Sequence, residues 1–384
     1  MVREEQQVDF QVGKDLKDLP AGLRPAPSTY RRPAMPVIRL LSPREGSVTH
    51  PLQQFRWNKG RVEPRPVGEG LSGAWQSVMP GDDYALPRGV LFAWEKPEIF
   101  GLEGARKLHY DLELYPSELS DEKTCLRGLA QPWAEVENLR IGTEYRWKVS
   151  AYLESGILAA ESLAELFVTH PELPRWIHVP GVTNVRDLGG WPLPNGHRVR
   201  QGMIFRGSEM NSHCEITPQG RQVMLEGLGI HTDLDLRGMG EAPGPALDPR
   251  QVEYINLPVQ AYGQIAHPEV SPRYRGIFRL LSIPTTYPLY LHCWGGADRT
   301  GTIAFLIGAL LGMTADDLAT EYELTSLSIW GERLRTQEAY QDLLDTLALF
   351  SVPGSSPQDQ VEHYLHVIGV TDGEIADIRD LLIE

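Results

Sequence analysis

Cysteine is scarce in this chain: Cys125, Cys214 and Cys293 are the only three in 384 residues, an odd number without short spacings. That excludes a disulfide framework and a cysteine zinc site. No run approaches the ~20 apolar residues of a membrane-spanning helix. The opening residues, MVREEQQVDFQVGKDL, lack the apolar segment of a secretory signal. Together these absences predict a cytoplasmic protein, with secretion or the periplasm left open for a trimmed N-terminus. Positive charge is also in deficit, 36 Lys and Arg against 51 Asp and Glu, for a formal net charge of -15. Nucleic acid and anionic membrane are therefore excluded as non-specific partners, and an anionic ligand must be drawn by local cations. The 41% hydrophobic and 23% charged residues are ordinary globular composition, and the length suits two domains.

Residues 1–35 are polar and studded with prolines (Pro20, Pro25, Pro27, Pro33), which predicts an extended arm. Over 36–170, short alternating runs appear between turns: VIRLL, FRW, VLFAW, LHYDLEL, YRWKVSAYL and LAELFVT. Period-two alternation with an aromatic in nearly every run predicts an antiparallel β-sandwich. The segment Lys59 to Arg88 is longer than such a module needs. Trp57, Trp94 and Trp147 are candidates for a glycan platform or for core, the latter being the common use of strand aromatics. No metal cluster is evident in this half.

Over 171–384 strand-like runs (MIFRG, HTDLDLRG, VEYINLPV, PLYLHC) alternate with helix-like ones (PQGRQVMLEGLG, RYRGIFRLLSI, TGTIAFLIGALLG, ADDLATEYELTS, QEAYQDLLDTLALF). This predicts an α/β domain whose central, mostly parallel sheet is flanked by helices, with a helical cap at the C-terminus. Thr217 before Pro218, Thr314 before Asp317 and Thr371 before Glu374 are helix-start signals.

One run carries chemistry. Leu291 to Gly301 reads LHCWGGADRTG: a buried strand end, a cysteine, two glycines, an arginine and an apolar helix. Gripping a phosphate requires convergent backbone N–H groups, a helix N-terminus and a planar cation. Gly295 and Gly296 permit the turn, Arg299 supplies the fork, and a thiol in that positive concavity is poised as a thiolate nucleophile. Trp294, Gly295, Gly296, Ala297, Thr300 and His292 are the expected phosphate-binding and loop-shaping positions.

With TNVRDLGG (from Thr183), GMIFRGSEM (from Gly202), LGIHTDLDLRGMGE (from Leu228) and HCWGGADRTG in this order, the second half resembles the bacterial tyrosine phosphatases of dual or triple specificity. The first half, chiefly through FAW, ENLRIGTEYRWKVSA and ESLAELFVT, resembles fibronectin type III and immunoglobulin-like domains. The phosphatase resemblance implies a cofactor-free, metal-free hydrolysis. Cys293 attacks phosphorus, Arg299 and the loop amides hold the equatorial oxygens, and a carboxylic acid protonates the leaving oxygen. Relatives of this type place that acid just before the arginine, here Asp298; Asp235 competes for the role. Thr300 is expected to donate to the sulfur or to cap the helix, and His292 to steady the loop. Asn184, Arg186 and Asp187 are expected to support the loop from behind or to brace their turn as an ion pair. Arg206 and Arg237 belong near strand ends, facing ligand or pairing with Glu209 or Glu241.

Ala297 stands where many relatives carry lysine, which weakens the case for phosphoinositides. Trp294 either lines the pocket for a phenyl ring or packs under the loop. The expected partner is a phosphorylated protein or a small phosphomonoester, with a protein or glycan partner for the sandwich. Rival readings are an inositol-polyphosphate phosphatase, an inactive phospho-binding module, and a redox enzyme with Cys214 as resolving thiol.

Overall fold

The computed structural model describes residues 35–51, 55–58, 61–64, 83–99, 107–119 and 123–384, with backbone alone at 55–58 and 61–64. The extended arm, most of the long insert and the Trp57 side chain lie outside the described residues. Pro36–Glu384 forms one compact unit.

In the first half the alternation seen in sequence becomes two larger sheets, with Phe55–Asn58 and Arg61–Pro64 forming a separate two-stranded one. Leu108–Pro116 buries every second side chain and pairs antiparallel with Tyr145–Leu153 of the strand Glu144–Leu153. These strands are the centre of a seven-stranded sheet. A three-stranded sheet is made from Leu40–Ser42, Val90–Trp94 and Trp133–Val136. The two meet through aromatics: Phe92 of the smaller sheet sits edge-on to Trp147 at 5.0 Å and to Phe167 at 5.5 Å, both on the larger one. Trp94 and Trp147 are buried in this core. The glycan reading of Trp94 and Trp147 is thereby corrected, because an indole ring packed between sheets has no face left for a sugar.

The second half is built on five strands: β1 (Arg186–Asp187), β2 (Ile204–Gly207), β3 (Thr232–Asp235), β4 (Glu253–Asn256) and β5 (Leu289–His292). They lie in the order β1-β2-β5-β3-β4. The sheet is mixed: β1 runs antiparallel to β2, and the other three pairings are parallel. All residues of β2, β3 and β5 are buried, as expected of strands covered on both faces. Gly207 and Asp235 pair with His292 on either side, so the carboxyl ends of three strands converge where ligands gather in α/β sheets.

Seven α-helices are found among the described residues: α1 (Pro218–Gln222), α2 (Ser271–Leu281), α3 (Asp298–Leu311), α4 (Ala315–Glu323), α5 (Glu338–Ala348), α6 (Pro357–Val367) and α7 (Asp372–Leu382). Thr217, Thr314 and Thr371 are N-caps, each accepting an amide N–H of its first turn. Ser356 makes a further capping box with Asp359. Helix α3 is buried from Thr300 to Leu311. It directs its N-terminus to the strand ends and stops at Gly312, whose φ of 93° is left-handed.

Candidate active site

Cys293 directly follows β5, is 3% exposed, and is separated from α3 by four residues. The turn between them is held from outside by its carbonyls. The Glu209 N–H donates to Trp294 O at 2.8 Å, Asn184 Nδ2 to Gly295 O at 2.9 Å, and Arg206 Nη2 to Gly296 O. In a planar trans peptide the N–H points opposite to the C=O, so the amides of Gly295, Gly296 and Ala297 face the other way. None of the three donates a hydrogen bond among the described residues. Gly296 takes a φ of 65°, as alternation into the left-handed region does in anion-binding nests. No side chain caps the N-terminus of α3, which leaves its first amides free for an anion.

Thr300 departs from expectation. Ala297 is the N-cap of α3, and among the described residues the buried Thr300 hydroxyl has no hydrogen-bond partner, the Cys293 sulfur included. The loop places Thr300 one turn inside the helix, too late to cap it.

The acid candidates are separated by their partners. Asp298 receives Arg333 Nε at 2.9 Å and Nη2 at 3.1 Å, and the Tyr262 hydroxyl donates to the same carboxylate. Burial alone would raise its pKa, but Arg333 and Tyr262 outweigh that and hold the carboxyl below the usual range. Tyr262 itself sits at a φ of 57° and also contacts the Tyr322 hydroxyl at 2.9 Å. Asp235 is fully buried. It is clasped by Arg237 through Nε at 3.0 Å and Nη2 at 2.7 Å, and by the Tyr254 hydroxyl at 3.0 Å. Its carboxyl is likewise held low, against burial, by Arg237 and His292. Arg237 continues to Glu209 at 3.2 Å.

His292 lies 2.9 Å from Asp233 Oδ1 and 4.0 Å from Asp235 Oδ1, the nearer contact lacking hydrogen-bond alignment. Burial opposes its charge, yet Asp233 raises its pKa. Arg299 Nη1 meets Glu241 Oε2 at 2.7 Å, and this arginine is the main reason that Glu241 is held acidic. The stretch from Cys293 to Arg299 thus carries a buried thiol, a nest of unpaired amides and an arginine paired to a carboxylate.

The profile of the "Tyrosine phosphatase family" matches residues 177–384, more than half of the chain. The chain belongs to the tyrosine phosphatase family. It is 28% identical over 167 residues to a Cupriavidus necator protein named "Putative tyrosine-protein phosphatase H16_A0669", which covers 37% of this chain and 59% of that relative's length. Among solved structures it resembles the core catalytic domain of the PP-IP phosphatase SIW14 from S. cerevisiae in complex with citrate. That match has 16% identity, a TM-score of 0.29, and covers 41% of this chain and 86% of the other. A structure of the Siw14 catalytic core matches at 16% identity with a TM-score of 0.28, over 49% of this chain and 92% of the other.

Within this phosphatase-family site, the remaining predicted residues divide. Asn184 and Arg206 grip the loop directly, and Arg186 reaches it through Asn184 Oδ1 at 2.6 Å. Asp187 does not pair with Arg186. It binds Arg175 at 2.7 Å and the amides of Gly189 and Gly202 at 2.7 Å each. Arg175 also donates to the carbonyls of Asn138 and Leu139, tying this strand to the first half. Trp294 is 40% exposed and leans on the His213 ring at 4.6 Å, so it lines the rim and does not pack beneath the loop. Ala297 is buried.

Sequence reasoning missed Glu321, which binds both Arg186 and Arg206, together with Arg333 and the role of Tyr262. A signal for Glu321 existed: α4 buries Leu318 and Tyr322, and Glu321 shares that face, so a charge stands at a core position. It missed a second grouping too. Parallel pairing of Ser47–Thr49 with Glu165–Thr169 brings His50, His170 and Glu172 together, their ligand atoms within 4.8 Å. Strand register thus makes neighbours of residues 120 apart in number, a grouping of potential ligand atoms that the sequence did not reveal. His170 Nδ1 already accepts the Glu172 N–H at 3.2 Å.

Proposed function

We propose that the protein is a cysteine-dependent phosphomonoester hydrolase acting on phosphotyrosine or, with dual specificity, on phosphoproteins more widely. The observation carrying this reading is the row of three outward-held carbonyls, which leaves three amides free beside Cys293. Phosphate oxygens match such donors, and the positive end of α3 adds to them. The Cys293 sulfur attacks phosphorus, an S–P bond forms and the P–O ester bond breaks. Asp298 gives its proton to the leaving oxygen. Water, deprotonated by Asp298, then attacks the cysteinyl-phosphate, releasing inorganic phosphate and the thiolate. Arg299 exchanges Glu241 for the equatorial oxygens of the phosphoryl group. Asp298 is favoured over Asp235 because the fully buried Asp235 carboxylate is taken up by Arg237 and the Tyr254 hydroxyl. Trp294 with His213 at the rim supports an aryl substrate, since an indole stacks on a phenyl ring.

In the same reading 36–170 is a β-sandwich of the fibronectin III or immunoglobulin kind with a protein partner, 171–384 is the catalytic part, and the protein works in the cytoplasm. Hydrolysis of an aryl phosphate without added metal, with Cys293→Ser and Asp298→Asn in parallel, tests the chemistry. Turnover lost in Cys293→Ser supports it; no turnover by folded wild-type protein would leave a phospho-binding module. Comparison of a phosphotyrosine peptide with inositol phosphates tests the substrate, and preference for the latter overturns the aryl assignment.

A further inference from the structure

Arg186 and Arg206 face each other in register across β1 and β2, and both are buried to within 1% exposure. Two guanidinium groups removed from water repel one another and need an anion between them. Burial, and then Arg206, lower the pKa of Arg186 to about 9. Glu321 is the shared anion. Its Oε1 takes Arg186 Nε at 2.8 Å and its Oε2 takes Arg206 Nη1 at 2.7 Å. From this one carboxylate two arms lead to the catalytic loop. Arg206 ends on Gly296 O, and Arg186 ends on Asn184, whose amide holds Gly295 O. These are successive peptide planes, and their rotation sets the direction of the Gly296 and Ala297 amides.

We infer that Glu321 is a positioning residue of the phosphate loop, fixing the aim of two phosphate-facing amides from helix α4 without touching the substrate. This inference rests on the phosphatase reading. Without the carboxylate the arginines separate, the two carbonyls lose their fixed donors, and the peptide planes rotate. A neutral amide at 321 offers a single acceptor oxygen to two cations.

The test is inorganic phosphate binding by calorimetry on wild type, Glu321→Gln and Glu321→Asp, with thermal melts and aryl phosphate kinetics alongside. The expected result is phosphate affinity and kcat/KM both lower by about tenfold or more in Glu321→Gln, the scale of losing an oxyanion donor, with folding retained. Glu321→Asp, which keeps the charge but spans only one arginine, falls between. Folded Glu321→Gln with wild-type phosphate affinity overturns the inference. If Glu321→Gln does not fold, wild-type affinity in Glu321→Asp overturns it. Wild-type protein that binds phosphate but turns over nothing sinks the hydrolase reading, and the affinities of the variants still decide the role of Glu321.

Discussion

Gly296→Ala isolates the geometry of the loop from its chemistry, because it removes no donor, acceptor or charge. The backbone at Gly296 has a φ of 65°, where an alanine costs about 1–2 kcal/mol. Space is the larger obstacle: a Cβ there lies 2.2 Å from Gly207 O, a backbone atom in β2 that cannot rotate away. The loop must retreat by roughly 1 Å, and a displacement of that size at a catalytic centre costs about 100-fold. The retreat also pulls Gly296 O from Arg206, which leaves the chain next to Gly207. Gly295→Ala is the internal comparison. Its Cβ meets the Trp330 ring at 2.5 Å, but φ is ordinary and the obstacle is a side chain. The assay is kcat/KM for an aryl phosphate, with thermal melts to confirm folding. The expected order is wild type above Gly295→Ala above Gly296→Ala. A Gly296→Ala enzyme within about threefold of wild type would refute the claim that this turn must be rigid for transition-state binding.

Three further outcomes follow from the ion pairs and hydrogen bonds. Arg333→Gln removes the cation that offsets burial at Asp298, so the carboxyl titrates at higher pH; since the acid works protonated, the alkaline limb of the kcat profile moves upward. A limb that stays put or moves down would exclude Asp298 as the acid. Asp235→Asn breaks a buried pair and is expected to cost about 3 kcal/mol by denaturant unfolding, with a smaller kcat loss than Asp298→Asn; the reverse pattern reassigns the acid to Asp235. A fragment beginning at residue 171 deprives Arg175 and Gln201 of their partners at Asn138, Leu139 and Ile141. It is expected to lose about 3 kcal/mol or more and to melt roughly 10 °C lower; an unchanged melting temperature would make the catalytic half an independent module.

Local physics was legible and long-range pairing was not. Thr217, Thr314 and Thr371 announce their helices within four residues, and HCWGGADRTG announces its turn, because caps and glycine turns are settled by neighbours in the chain. The mixed character of the sheet was hidden, since β1 is only two residues long and carries no period. Thr300 illustrates a second limit: threonine is a natural cap, but the turn after Ala297 starts the helix early and leaves the hydroxyl inside.

The partners of the catalytic groups were the least visible. Asp298 meets Arg333 across 35 residues and Arg186 meets Glu321 across 135, and nothing in either neighbourhood names the other. Yet Glu321 is not without a trace. A glutamate on the buried face of an amphipathic helix has no reason to be there unless a cation awaits it, and two arginines of the second half, Arg206 and Arg237, are found in or just after strands that read as core. The energetics of burying charge turn that coincidence into an inference: leaving buried arginines without their carboxylate costs about 3–5 kcal/mol, a large share of a domain's stability. The same reasoning identifies where the site is most sensitive. Apart from Arg299, a loop that holds phosphate by backbone amides has no side chain to lose, so its other weak points are the residues behind it, and the one carboxylate shared by two of those arginines is the position whose loss moves the most amides at once.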